Sequence, residues 1–395
     1  MKHYDVIVVG AGPSGGHVAR LLAKQGFDVA LFEEHHEIGR PVQCAGLVST
    51  RVIDILGGKK GVINEISGAR IHSPTGEILT IQGKKPKACV IDRALFDGII
   101  VNDAVSSGSV LHLGSKVTSI KRKGGEIRLE AKKDGAKEDY GCRLVIGSDG
   151  VGSIVARSFG FPKPKEVLSG FGAECIIEKD IDLDYLDIFI GNKIAPGFFA
   201  WLIPTDSGAR IGLCTSRDRK NTRRNFESLL RHSEVKNRLG KIKIERYIAG
   251  TIPLGPMKKI VSDAVMLVGD AACQVKPLSG GGIYLGLLSG GHCANVAKEG
   301  LESEDLSEKK LKRYPALFQD DVGKELKRAN QLRKIFLELK DEHIEEGFRI
   351  LGDEKILSFI GEKSDIDYPS GLTKAVLQKA PRLMKFAGPV LKSLI

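Results

Sequence analysis

The sequence contains no CxxC pair. Its seven cysteines (Cys44, Cys89, Cys142, Cys175, Cys214, Cys273 and Cys293) are scattered and odd in number. A disulfide framework and a cysteine zinc site are therefore excluded as organising devices, and most of the thiols read as small buried apolar groups. The nine histidines show no metal-ligand spacing, so no metal is expected. Aromatic residues are scarce, 6% of the chain, and do not interleave with basic ones. That argues against a nucleic-acid partner. No stretch reaches the roughly 18–20 apolar residues of a membrane-spanning helix. Internal repeats and low-complexity linkers are absent. The N-terminus runs from Met1 straight into a strand-like pattern, without the basic and then apolar regions of a secretory signal. The expectation is a cytoplasmic chain, with peripheral contact at the membrane face.

What is present is ordinary for a globular protein. The 395 residues suffice for two to three domains, with 42% hydrophobic and 28% charged residues. The net charge is +11, an excess that reads as spread along the chain, as in Lys121–Arg122–Lys123 and from Lys309 to Arg313. Such a balance suits a phosphorylated substrate or an anionic membrane surface. The terminal stretch LTKAVLQKAPRLMKFAGPVLKSLI sets Leu, Val, Met and Phe among four lysines and one arginine. It reads either as a packed terminal helix or as an amphipathic segment lying on a membrane.

Along the chain, Tyr4 to Val9 (YDVIVV) is apolar on both faces, as the centre of a parallel sheet requires. A glycine-rich turn, a helical run closed by Gly26 and a second strand, Val29 to Phe32, complete a β–α–β unit. An irregular loop covers Glu34 to Ser49. Short strands follow from Ala69 to Ile81, a helix from Leu95 to Val105 and a hairpin through Gly124–Gly125. Residues 166–252 read as strands with one basic helix near Asn221 to His232. Helices follow from Gly281 to Glu299 and beyond Ser307. The pattern predicts an α/β fold (α+β overall). A Rossmann-like domain (1–70, 90–165 and 253–305) is interrupted by an inserted antiparallel-sheet substrate domain (71–89 and 166–252). A C-terminal helical region (306–395) follows.

The first chemical signal is Gly10–x–Gly12–x–x–Gly15 between strand and helix. A helix N-terminus offers unpaired N–H groups and the positive end of a dipole to a pyrophosphate. Gly10 permits the tight turn, Gly12 lets the backbone approach phosphate, and Gly15 lets helix and strand pack closely. Glu33 ends the second strand, where a carboxylate accepts from ribose hydroxyls. NAD and FAD both use such a unit. Two further segments end strands: Gly147–Ser148–Asp149–Gly150, with Asp149 also suited to capping a helix, and Gly269–Asp270–Ala271–Ala272, with Pro277 and Gly280 to Gly282.

With these three fingerprints in order, the chain resembles the flavoprotein superfamily with the para-hydroxybenzoate hydroxylase fold. The resemblance implies FAD. It places Asp270 at the ribityl and pyrophosphate region, Gly282 and Ile283 facing the isoalloxazine, and Arg93 near the ribityl and adenine side. Ser14 and Val117 complete the implied cofactor contacts. The segment EIGRPVQCAG, with Pro41, Cys44 and Gly46, is similar to the PxxCxG loop of geranylgeranyl reductases. That implies FAD contacts from Cys44, Ala45 and Leu47. The segment FFAWLIP at 198–204 resembles the Tyr–x–Trp–x–Phe–Pro motif of the same family. Here Phe199 replaces the tyrosine, Ile203 the phenylalanine, and Cys214 the second glycine of a following GxG. The resemblance covers most of residues 1–300.

The resemblance implies a reductase of geranylgeranyl chains on archaeal-type phosphoglycerol ether lipids, in membrane lipid synthesis. Cys44 is then the candidate catalytic side chain, as proton donor or as a small polarizable wall. Phe199, Trp201 and Pro204 are expected along the substrate tunnel, or simply in the sheet core. No second GxGxxG unit is present for a nicotinamide. The electron donor is left open between reduced ferredoxin, or another low-potential donor, and NAD(P)H. A flavin monooxygenase or halogenase of the same fold is the alternative, and an electron-transfer flavoprotein without its own substrate a third.

Overall fold

The computed structural model describes residues 1–386. The last nine residues of the basic terminal stretch lie outside the described residues; the part before them forms the helix Thr373–Lys379 and a 3-10 segment, Pro381–Phe386.

The first sheet is built around the strand Lys2–Val9, which pairs in parallel with Val29–Phe32 on one side and Ala136–Gly147 on the other. Val6, Ile7 and Val8 are wholly buried, as a strand covered on both faces demands. Val110–His112 and Val265–Leu267 extend the sheet in parallel, and the hairpin Ser115–Lys123 and Glu126–Lys133 joins antiparallel. The helix Pro13–Lys24 starts on proline, whose missing N–H costs nothing there, and stops before Gly26 at φ +88°. It packs against the helices Arg93–Ser106 and Ile283–Glu302. Glycines allow both approaches: Gly16 faces Ile100 and Val101, and Gly290 faces His17 and Val18.

The second sheet has seven strands, in the order Ile242–Leu254, Glu166–Ile177, Gly208–Thr215, Phe199–Thr205, Tyr185–Ile190, Gly68–His72 and Ile78–Gln82. All neighbours are antiparallel except Tyr185–Ile190 with Gly68–His72. Alternation gives it two faces. On the outer face Ala200, Leu202, Ile211 and Leu213 meet Phe226, Leu229, Val235 and Leu239. Those last four come from two short helices, Thr222–Leu230 and Ser233–Leu239, where the sequence pattern suggested one. On the inner face Phe199, Trp201, Ile203 and Cys214 look toward the first sheet's loops.

A third sheet, Leu47–Ser49, Ala88–Ile91 and Val62–Ile66, ties the two together. Its strand Leu47–Ser49 falls at the end of the expected irregular loop. Three residues carry no readable alternation, and only pairing with Ala88–Val90 makes them a strand. The C-terminal helices, chief among them Arg313–Glu338, lean on both domains. Arg333 donates from Nε to Glu166 at 3.0 Å and stacks over Phe198 at 5.1 Å. Among the described residues no helix is long and apolar enough to cross a membrane.

Candidate functional site

The glycine loop behaves as its spacing requires. Gly10 has φ +97°, and a Cβ there would overlap the Ser148 carbonyl; one on Gly15 would overlap the Gly10 carbonyl. Gly12 has open space around it and heads the helix Pro13–Lys24 with no side-chain cap. Its first-turn N–H groups are therefore left for an anion. Glu33 is held beside this turn: its Oε2 accepts from Ala11 N at 3.0 Å and its Oε1 from His35 N at 3.0 Å. Ser14 is turned elsewhere, its hydroxyl lying against Gly269 and Gly286. Val117 is buried in the core, two residues beyond Ser115, whose N–H binds the Glu33 carbonyl.

Asp149 caps the short helix Ile154–Ser158, accepting from Ile154 N at 2.6 Å and Val155 N at 3.3 Å. Its other oxygen is buried with no hydrogen-bond partner among the described residues, and the Asp149 Cα lies against Gly10. Burial pushes the carboxyl up from its ordinary value, against the pull of these hydrogen bonds.

The Gly269–Ala272 turn carries Asp270. Among the described residues its carboxylate accepts no hydrogen bond, and its Oδ1 lies where a side chain on Gly282 would sit. Burial raises its pKa to about 6, and the Arg93 guanidinium opposes the rise. Gly282 heads the helix Ile283–Glu302, again without a side-chain cap. Two uncapped helix starts, an acceptor at Glu33 and an unpaired carboxylate at Asp270 are what a long phosphorylated cofactor needs, and the residues fit FAD on that ground.

The turn is fixed by polar groups that the sequence reading did not single out. Gln274 Oε1 accepts from Gly269 N at 2.7 Å and from Ser289 Oγ at 2.6 Å, and its Nε2 donates to the Tyr314 hydroxyl, which donates to the Leu267 carbonyl. Lys276 donates to Asp367 Oδ1 at 2.8 Å and to the Ile366 carbonyl at 3.1 Å, and its backbone is bonded to Gly280 and Gly281. Arg51 grips Asp365 through two 2.7 Å bonds.

Arg93 pairs in fork geometry with Asp97, at 3.0 and 2.7 Å. Burial opposes its charge, but Asp97 and the neighbouring Cys44 sulfur prevail and raise its pKa. Arg93 thus stands among Asp97, Cys44 and Asp270. The Cys44 sulfur accepts from Gly46 N at 3.4 Å. A second arginine, also missed in the sequence, holds this loop. Arg210, 4% exposed, donates to the carbonyls of Ala45 (3.1 Å) and Ile91 (2.8 Å) and to Glu174 (3.0 Å). Gly46, at φ +73°, has no room for a Cβ against its guanidinium.

Facing the loop is the inner face of the second sheet. Trp201 lies across Gly212, where an added Cβ would come within 2.7 Å of the indole ring. Phe199 meets Trp201 edge-on at 6.3 Å and stacks on Phe198 at 4.4 Å. Ala45, Leu47 and Ile366 join Trp201 in one apolar cluster, and Val275, Ile252 and Cys214 in another. Burial pushes the Cys214 thiol up to about 12. Pro204 does not share this wall: alternation puts it on the outer face with Ala200 and Leu202. Ile283 packs with Leu285 and Phe96 at the start of its helix.

Comparison with known proteins agrees with this geometry. Residues 3–290 match the family model described as FAD binding domain. A digeranylgeranylglycerophospholipid reductase from Methanothrix thermoacetophila is 30% identical, over 96% of this chain and 97% of that one. The crystal structure of a geranylgeranyl bacteriochlorophyll reductase-like protein from Thermoplasma acidophilum superposes with a TM-score of 0.88 at 26% identity, covering 100% of both chains. A flavin-dependent brominase variant, at 17% identity, TM-score 0.72 and 95% and 99% coverage, shares the fold alone. The glycine loop, the Gly269–Ala272 turn and the near-full-length likeness converge: the chain belongs to the digeranylgeranylglycerophospholipid reductase family of FAD-binding-domain proteins.

Proposed function

We propose that the protein is an FAD-dependent reductase that saturates C=C bonds of geranylgeranyl chains on archaeal-type phosphoglycerol ether lipids. The observation that carries this is the apposition of the Cys44–Gly46 loop and the Asp270–Gly282 turn to the apolar wall of Phe199, Trp201 and Ile252. An isolated alkene has no polar handle, so a dry, shaped wall must align it. When bound, reduced FAD supplies hydride to one alkene carbon.

The chain's own residues do the rest. Gly12, Glu33, Asp270 and Gly282 bind and orient the cofactor, Phe199 and Trp201 exclude water, and Arg93 and Arg210 set the position of Cys44. In this reading the Cys44 thiol gives the proton to the second alkene carbon. Incubating dithionite-reduced protein with geranylgeranylated phosphoglycerol lipid tests the reading. The expected result is a mass gain of two hydrogens per double bond, and FAD-loaded protein that adds none overturns it. Single-turnover rates in Cys44→Ser and Cys44→Ala at normal FAD content test the proton step; rates equal to the parent's would remove Cys44 from it.

A further inference from the structure

The positive charge is less evenly spread than the sequence suggested. Residues 217–246 hold eleven Lys and Arg against four Asp and Glu, which leaves +7 of the chain's +11. Two of these cations are used internally, Arg238 with Asp187 and Arg246 with Glu174. The densest part, Arg217 to Arg224, is different. Arg219, Lys220 and Arg224 are exposed and pair with no carboxylate among the described residues. Arg223 is 3.4 Å from Glu227; Arg217 is 4.0 Å from Glu338 and donates to the Leu337 carbonyl. The one acid among them, Asp218, is half-buried and accepts from Asn221 and Asn225 at 2.8 and 3.1 Å.

This face has an aromatic member as well. Tyr247 is 53% exposed, lies 5.6 Å from Phe171 and carries the Arg223 guanidinium 6.0 Å above its ring. Rings of this kind favour the level of lipid headgroups. The face is also next to the apolar wall. Ser216 to Asn221 line an open cleft of about 610 Å³. Its rim is bonded to the residues that precede Phe198: Ser216 N and Arg217 N donate to the Pro196 carbonyl at 3.1 and 3.3 Å, and Ser216 Oγ to the Gly197 carbonyl at 3.4 Å. Phe198 and Phe199 thus begin where the basic cleft ends.

We infer that the face formed by Arg217, Arg219, Lys220, Arg223, Arg224 and Tyr247 docks on an anionic lipid bilayer. The docking sets the Phe198–Phe199 end of the apolar wall against the membrane from which the substrate is drawn. Charge complementarity selects this occupant, together with the exposed ring and the direct connection to the wall. The inference rests on the lipid-substrate reading above for its purpose, and its test does not depend on turnover.

Full-length, FAD-loaded protein is floated with vesicles of phosphatidylcholine alone, or containing about one third phosphatidylglycerol. Juxtaposed cations each contribute about fivefold to partitioning, so removing three lowers it by on the order of a hundredfold. The protein is expected to float with the anionic vesicles, to stay down with the neutral ones, and to be released by salt. The triple variants R219E/K220E/R224E and R219Q/K220Q/R224Q are expected to lose flotation by about a hundredfold or more, while keeping FAD content and turnover of detergent-dispersed lipid. Flotation of either variant at the parent level overturns the inference. So does equal binding of the parent to neutral vesicles, or tighter binding to a single-stranded oligonucleotide at the same phosphate concentration. Loss of flotation on deleting residues 372–395, with the triple variants unaffected, assigns docking to the terminal stretch instead and also overturns it. Intact flotation without detergent-phase turnover by the parent sinks the reductase reading and leaves the docking face standing.

Discussion

The loop Gly10–Gly15 and the loop Cys44–Gly46 are fixed by different means. The first is shaped by its own backbone: three glycines, an adjoining strand and the Glu33 carboxylate twenty-two positions on from Ala11. The second is shaped from a distance. Arg210, 165 residues from Ala45, supplies the hydrogen bonds that hold it, and its charge is balanced by Glu174 on the neighbouring strand. A locally shaped loop survives changes elsewhere and fails on a single methyl group; a remotely shaped loop tolerates local change and fails when its anchor goes.

The largest test of that contrast is Gly15→Ala. The added methyl has nowhere to go but into the Gly10 carbonyl, so a loss on the order of 4 kcal/mol in stability, with FAD content near zero, is expected. Thermal melts and the flavin-to-protein absorbance ratio check it, and retention of FAD would break the local half of the comparison.

Arg210→Met comes next. It leaves two buried carbonyls and part of the Glu174 charge unpaired, at about 3 kcal/mol. FAD should be retained while alkene turnover falls by about tenfold or more, because the Cys44–Gly46 loop is displaced and the Gly10–Gly15 loop is not. Loss of FAD in step with turnover would show that the two loops are not separately held.

A pH test sharpens the local half. His17, on the glycine-loop helix, is buried and brought down to about 4, first by burial and then by Arg20. The unfolded chain binds that proton first, so its contribution is lost as pH falls from about 6.5 toward 4. Asp270, raised to about 6, does the opposite: the folded chain holds its proton longer, and that contribution is lost as pH rises from about 4 to 6. Each amounts to about 3 kcal/mol, so apoprotein stability should be nearly level between about pH 4 and 6. In Asp270→Asn it should climb with pH across this window, and in His17→Gln it should fall. Urea titrations at stepped pH read both slopes, and unchanged slopes would contradict the burial of these groups.

The smallest effect is expected for Phe199→Tyr, which restores the hydroxyl of the family pattern. Phe199 is only partly buried, so a change within about 0.5 kcal/mol and about twofold in turnover is expected. A large gain would mean that the hydroxyl has a partner across the wall.

The same contrast marks what could be read from the sequence. The glycine loop, Glu33 and the Gly269–Asp270 turn were legible because their spacing is local and each residue type answers a backbone demand. Gln274, Lys276 and Arg210 were not. A polar residue inside an apolar strand or turn looks like a break until its partner is known, and those partners stand 40 positions away at Tyr314, 91 at Asp367 and 165 at Ala45. Pro204 shows a subtler limit. The motif grouped it with Trp201, but an odd step along a strand sends it to the opposite face.

The bond between Lys276 and Asp367 also has a meaning in time. A ribosome delivers Lys276 ninety-one positions before its counter-charge. At synthesis rates of about 5–20 residues per second the turn beside the cofactor waits several seconds with a cation that has no buried partner. The glycine loop and the Arg210-held loop can form early, but the Lys276 turn is locked only as the final helices arrive, so a stalled or prematurely released chain keeps that turn unfastened.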